Sequence, residues 1–232
     1  MLLERGDEVK IIISKELKKF MMYARQITEI EGKETGFYLH HFNLPGQSNT
    51  DPYDIFHSEL IIGDNKGIYL HSKYKRLTKD LEGKIIICGS FHIHPFKKYL
   101  DVYKSSETVD KNRLVYVEEY CKSCLSVDDL NMLLVGTIKR DSTVMITCLL
   151  SDTEDSVSYY TPKKNISEEE FTDAYSKFKT DRQPLACTET IYTKEGPFTF
   201  PTMKYRMVYK YIFDMFDKNE FGLNSEETII DV

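Results

Sequence analysis

No apolar run in these 232 residues approaches the ~20 that a helix needs to cross a bilayer. The opening segment, MLLERGDEVKIII, lacks the basic start, apolar stretch and small-residue cleavage site of a secretory signal. The five cysteines are an odd number, and Cys88 and Cys148 lie in apolar runs, where a free thiol behaves as a small hydrophobe. These absences predict a soluble, cytoplasmic protein that needs no disulfides. A basic excess is missing too. The formal net charge is −6, and all of it falls in residues 151–232, which carry 16 acidic and 10 basic side chains. That balance argues against binding a phosphate backbone, whose affinity rests on Lys and Arg. Internal repeats, low-complexity tracts and long linkers are also absent, so the length fits one large domain, or one domain with an appendage.

What is present reads as alternating strands and helices. Val9 to Ile13 is a short buried strand, and Ser14 is placed to cap a helix with Leu17, Phe20, Met21, Ala24 and Ile27 on one stripe. Gly36 to Phe42 follows as an aromatic strand, ended by the polar NLPGQSNTDP. Ile55–Ile62 and Gly67–Leu70 are expected to pair through the turn GDNKG. Ile85 to Ile93, IIICGSFHI, is the clearest strand and is apolar enough for burial on both faces. Arg113–Tyr120 is expected as a strand within an insertion. Met132–Ile138 and Thr143–Leu150 are expected as a strand pair turned by KRDS, with Val157–Tyr160 as an edge. Ser167 and Glu170 form a capping box that opens a helix bearing Phe171, Ala174, Tyr175 and Phe178. After PFTFPT, the residues Met203, Met207, Val208, Tyr211, Ile212, Met215 and Phe216 fall at helical spacing.

Three segments carry chemistry. His92 and His94 are two apart on a strand, so their imidazoles point to one side, and Pro95 stops the strand just beyond them. Such a pair suits one metal ion, yet alone it is better explained as two ordinary strand-end histidines. A catalytic zinc keeps three protein ligands and a water, so a third ligand is required. Ser126-Val127-Asp128-Asp129 offers a carboxylate. If Ser126 caps a helix, Asp129 lies one turn along on the same side. The plainer reading of these acidic groups is a favourable helix start. Glu34, before Gly36, supplies a carboxylate suited to general-base work, although it also fits as a surface residue beside Glu29 and Glu31.

In combination, Glu34-Thr35-Gly36, then Gly89-Ser90-Phe91-His92-Ile93-His94-Pro95, then Leu125-Ser126-Val127-Asp128-Asp129-Leu130 resembles the JAMM motif of the MPN family. The resemblance covers roughly the first two-thirds of the chain. It implies zinc ligands at His92, His94 and Asp129, a base at Glu34, and an oxyanion hydrogen-bond donor at Ser126. It further implies a zinc metalloprotease acting on peptide or isopeptide bonds, including those of ubiquitin-like modifiers. Two departures stand out. Ile93 replaces the family's Ser or Thr, and 31 residues separate His94 from Ser126 where the family has far fewer. The longer spacing leaves Asp128, Asp110 and Asp101 as alternatives to Asp129. Cys121 and Cys124 form a single C-x-x-C in that insertion, and they read as ordinary thiols rather than half of a zinc site.

The expected architecture is therefore an α/β domain over residues 1–160, with a curved mixed sheet flanked by helices and an insertion at about 97–125. A helical extension is expected over 161–232, whose Met- and Tyr-rich helix is a candidate face for a protein partner or a homodimer. The readings that compete with hydrolysis of protein conjugates are a non-catalytic MPN scaffold module and a hydrolase of small amide or thioester metabolites.

Overall fold

The computed structural model describes residues 10–42, 52–63, 85–95, 101, 104, 125–139, 146–151, 155–180, 188–193, 196–201 and 207–231. Strand β1 (Lys10–Ile13) leads into helix α1 (Lys15–Glu31). The Ser14 hydroxyl accepts the Leu17 amide hydrogen at 3.2 Å, as expected of an N-cap. At the other end Gly32 adopts φ 62°, a left-handed geometry that glycine enters without a Cβ penalty, and its amide donates to the Thr28 carbonyl at 2.8 Å. Helix α1 thus has a defined start and stop, which fixes where the next strand begins.

That strand is β2 (Thr35–Phe42), followed by the short β3 (Tyr53–Asp54), β4 (Phe56–His57) and β5 (Ile61–Ile62). The single strand expected over Ile55–Ile62 is broken: Ser58 turns in to bond Tyr38 through both its hydroxyl and its amide, and the chain rejoins β2 further along. Next come β6 (Ile85–His94), helix α2 (Val127–Lys139), β7 (Ile146–Ser151) and β8 (Ser156–Pro162). Helix α3 (Glu168–Thr180), β9 (Thr188–Thr193), β10 (Gly196–Pro201), helix α4 (Lys210–Phe213), β11 (Phe216–Gly222) and β12 (Thr228–Asp231) complete the order.

The main sheet is mixed and seven-stranded, in the order β11-β8-β7-β6-β2-β4, with β5 also on β2. Strand β6 runs antiparallel to β2 and parallel to β7. A parallel neighbour requires a crossover, and α2 lies in that connection. This corrects the expected strand over Met132–Ile138: Leu130, Leu133 and Leu134 are fully buried at helical spacing, and the apolar run belongs to the crossover helix. Strand β8 is likewise internal rather than an edge, because β11 pairs along its whole length.

The expectation of a helical segment over 161–232 needs the same correction. Helix α3 forms as read, with a Ser167–Glu170 capping box at 2.8 and 3.2 Å. The helix expected from Met203 to Phe216 is reduced, among the described residues, to a short stretch around α4, and four strands accompany the helices. Strands β9 and β10 form a hairpin, β11 joins the main sheet, and β12 pairs with β1 in a three-stranded sheet, β12-β1-β3. Tyr209, Ile212, Met215 and Phe216 are buried with Phe171 and Leu130 inside the molecule, so these residues of the supposed docking helix belong to the core. The expectations at Gly67–Leu70 and Arg113–Tyr120, and those at Cys121 and Cys124, fall outside the described residues.

Two cores lie against the main sheet. Leu17, Met21 and Ala24 of α1 pack with Phe37, Leu39, Phe91 and Ile93, and the rings of Phe37 and Phe91 stack with centroids 4.6 Å apart. The second core joins α2, α3 and the α4 region with Tyr160 of β8. No described helix is long and apolar enough to cross a membrane.

Candidate metal centre

Strand alternation decides which residues of β6 face the site. Phe91 and Ile93 are fully buried in the α1 core, so His92 and His94 project from the other face. Ile93 therefore lies away from the imidazoles, packed on the α1 side. The β2 register places Thr35 opposite Ile93 and Gly36 opposite His92. Directly opposed residues share a face, so Glu34, one step before β2, falls beside His94. Thr35 holds this end of β2 in place from behind, donating to the Ala24 carbonyl at 3.0 Å and bonding Thr28 at 2.6 Å.

Helix α2 delivers the third group. The Asp129 carboxylate Oδ1 lies 3.1 Å from His92 Nε2, and its Oδ2 lies 3.6 Å from His94 Nε2. The two imidazole Nε2 atoms are 3.0 Å apart, and Glu34 Oε1 is 3.6 Å from His94 Nε2. The side chains of His92, His94 and Asp129 are 9, 7 and 13% exposed, against 23% for Glu34. Asp128 and Asp101 are exposed, and Asp110 falls outside the described residues. Of the three described aspartates in question, Asp129 is the one brought to the histidines.

His92, His94 and Asp129 each offer a ligand atom within 4.8 Å of the others, a group that could hold a metal ion. A tetrahedral ion with bonds of about 2.0–2.1 Å requires donor atoms about 3.3 Å apart; His92 Nε2 lies 3.0 Å from His94 Nε2 and 3.1 Å from Asp129 Oδ1, close to that value, while the 3.6 Å approach to His94 is made by the other oxygen, Oδ2. Two imidazoles and one carboxylate, with a fourth position left for water, also match a catalytic rather than a structural donor set. The donors fit such an ion.

No family model matches this chain. No curated protein matches it either.

The electrostatics of the site are those of a shared proton or a shared cation. Burial lowers the proton affinity of His92, but the charge and hydrogen bond of Asp129, with the charge of Glu34, outweigh it and raise the pKa. Burial and the neighbouring His92 hold His94 below its usual value despite Asp129 and Glu34. Burial works against ionisation of Asp129, yet His92 and His94 and the Ser126 amide pull its pKa well below the ordinary carboxylate range. The sign for stability follows. The Asp129 contribution is present above the unfolded value of about 3.9 and is lost as pH falls through the depressed folded value. The His92 contribution runs oppositely, being complete below about 6.5 and lost as pH rises through its raised folded value. Thermal unfolding of the metal-free protein should therefore show acid destabilisation below about pH 4 that Asp129→Asn flattens. An unchanged acid limb in that variant would place the titrating group elsewhere.

Two residues not singled out by sequence share this face. Tyr38 and Ser90 are buried cross-strand partners, one alternation step from Gly36 and His92. Counting back by two from His92 identifies Ser90 at once, whereas Tyr38 emerges only when the register is known.

Proposed function

We propose that this protein is a divalent-metal-dependent hydrolase of amide bonds, with zinc as the metal and peptide or isopeptide bonds as the substrate class. The observation that carries the reading is the convergence of His92, His94 and Asp129 from two separate elements into one buried donor set, with a second carboxylate, Glu34, alongside. When bound, zinc supplies Lewis acidity and lowers the pKa of water towards about 7. Glu34 stands next to the donor set without completing it, and it is more exposed than the three donors. Its role is to accept a proton from water and return it to the departing amine. The Ser126 hydroxyl is a neutral donor available to the oxygen on which charge develops. Isopeptides of ubiquitin-like modifiers are the substrates that the motif resemblance favours, while the fold and donor set support amide hydrolysis more broadly.

The test is the metal content of purified protein by elemental mass spectrometry, for the natural sequence and for His92→Ala and Asp129→Ala. Near-stoichiometric zinc, lost in both folded variants, is the expected result. No metal after metal-replete purification, or metal unaffected by either change, would put a non-catalytic scaffold ahead. Peptide, isopeptide-linked and small-amide substrates then separate the enzyme readings.

A further inference from the structure

The beginning of α2 does more than present Asp129. The Ser126 amide donates to Asp129 Oδ2 at 2.6 Å, while the Asp129 amide donates to Ser126 Oγ at 3.2 Å. The Leu130 amide bonds the Ser126 carbonyl at 3.1 Å, closing the first turn. This is a capping box, a device that satisfies helix-start donors reciprocally and ordinarily uses Glu or Gln as its acid. Here the acid is Asp, and its other oxygen is 3.1 Å from His92.

The chain contains its own point of comparison. At the start of α3, Ser167 and Glu170 make the same reciprocal pair at 2.8 and 3.2 Å, with both residues exposed and, among the described residues, no histidine cluster beside them. The cap is thus an ordinary way for this sequence to begin a helix. At α2 the same device fixes a carboxylate that also faces two imidazoles.

We infer that Ser126 is a positioning residue for the metal site: its amide holds Asp129 Oδ2 and its hydroxyl holds the Asp129 amide, which fixes the backbone carrying the carboxylate and leaves Oδ1 3.1 Å from His92 Nε2. The inference rests on the proposed metal site and assigns Ser126 a task separate from hydrogen bonding to substrate. A carboxylate on a flexible chain must be ordered when it takes a ligand, whereas one already held by the Ser126 amide, on a backbone fixed by the Ser126 hydroxyl, is pre-oriented. Hydrogen-bond partners of metal ligands typically change affinity by about 10–100-fold when removed.

Zinc affinity, measured by competition with a chromophoric chelator, tests this without reference to turnover. Ser126→Ala removes the acceptor for the Asp129 amide and should weaken zinc binding by about tenfold or more. Ser126→Asn retains a competent N-cap and should stay within about threefold of the natural protein. Ser167→Ala removes the matching cap on α3 and should leave zinc affinity unchanged, which separates positioning from a general loss of helix stability. Natural affinity in Ser126→Ala, or equal weakening in Ser167→Ala, would overturn the positioning role while leaving the metal site intact. Failure of the natural protein to take up zinc would overturn the metal site, and the positioning role with it.

Discussion

Glu34→Gln is expected to reduce turnover of an amide substrate by about 10²–10⁴-fold while leaving the bound metal in place, the range typical for loss of a general acid–base group. Glutamine keeps the size and shape of the side chain but cannot take up a proton at neutral pH. Glu34 sits just ahead of β2, outside the donor trio, and Thr35 anchors the adjacent backbone from the opposite face. The variant should therefore fold and load metal normally. Steady-state kinetics on whichever substrate the natural protein cleaves, paired with metal content, make the measurement. Turnover within about threefold of natural would remove Glu34 from the chemistry, and loss of metal would recast it as a ligand.

The second large effect concerns stability. Lys18 on α1 is 1% exposed, yet its ammonium donates to Ser225 Oγ at 2.6 Å, Thr228 Oγ1 at 2.6 Å, and the backbone carbonyls of Ser225 and Glu226. It also lies 5.5 Å from the centre of the Phe221 ring. Burial lowers its pKa, while Glu226 and Glu227 act in the opposite direction. Lys18→Ala should cost about 2–4 kcal/mol, combining lost stem packing with acceptors that must find water instead. For a chain of this length that corresponds to a fall in Tm of roughly 4–16 °C. Differential scanning calorimetry on metal-free protein would show it. Lys18→Met, which keeps an unbranched apolar stem, should recover part of the loss. A change below about 0.5 kcal/mol in Lys18→Ala would mean that the turn between β11 and β12 is held by other contacts.

Local signals are legible in the sequence where one physical cause dominates. Ser14 and Ser167 start helices because a side-chain oxygen meets an orphan amide, and both caps form. The alternation of Phe91, His92, Ile93 and His94 assigned their faces before any partner strand was known. The errors share a different origin. MLLVGTI has the composition of a strand, but the parallel pairing of β6 with β7 demands a crossover, which no local window contains. PFTFP becomes a strand because Thr188–Thr193 pairs with it, and FDKNEFG becomes one because β8 lies beside it. The gathering of Asp129 beside His92 was legible only through the motif resemblance, since 36 residues separate the pair in sequence. Spacing could not choose among the aspartates. Among the described ones, Asp101, Asp128 and Asp129, geometry does.

The division of the three donors between β6 and α2 has a thermodynamic counterpart. A metal gripping all three would bridge parts of the chain that an unfolded molecule holds together only at an entropic cost that grows slowly with loop length. Such an ion binds the native state in preference to the unfolded one, so each tenfold rise in its free concentration above Kd adds about 1.4 kcal/mol to the unfolding free energy. Free zinc concentration would then set how long the folded chain survives heat or denaturant, and chelation would shorten that survival before any substrate is involved.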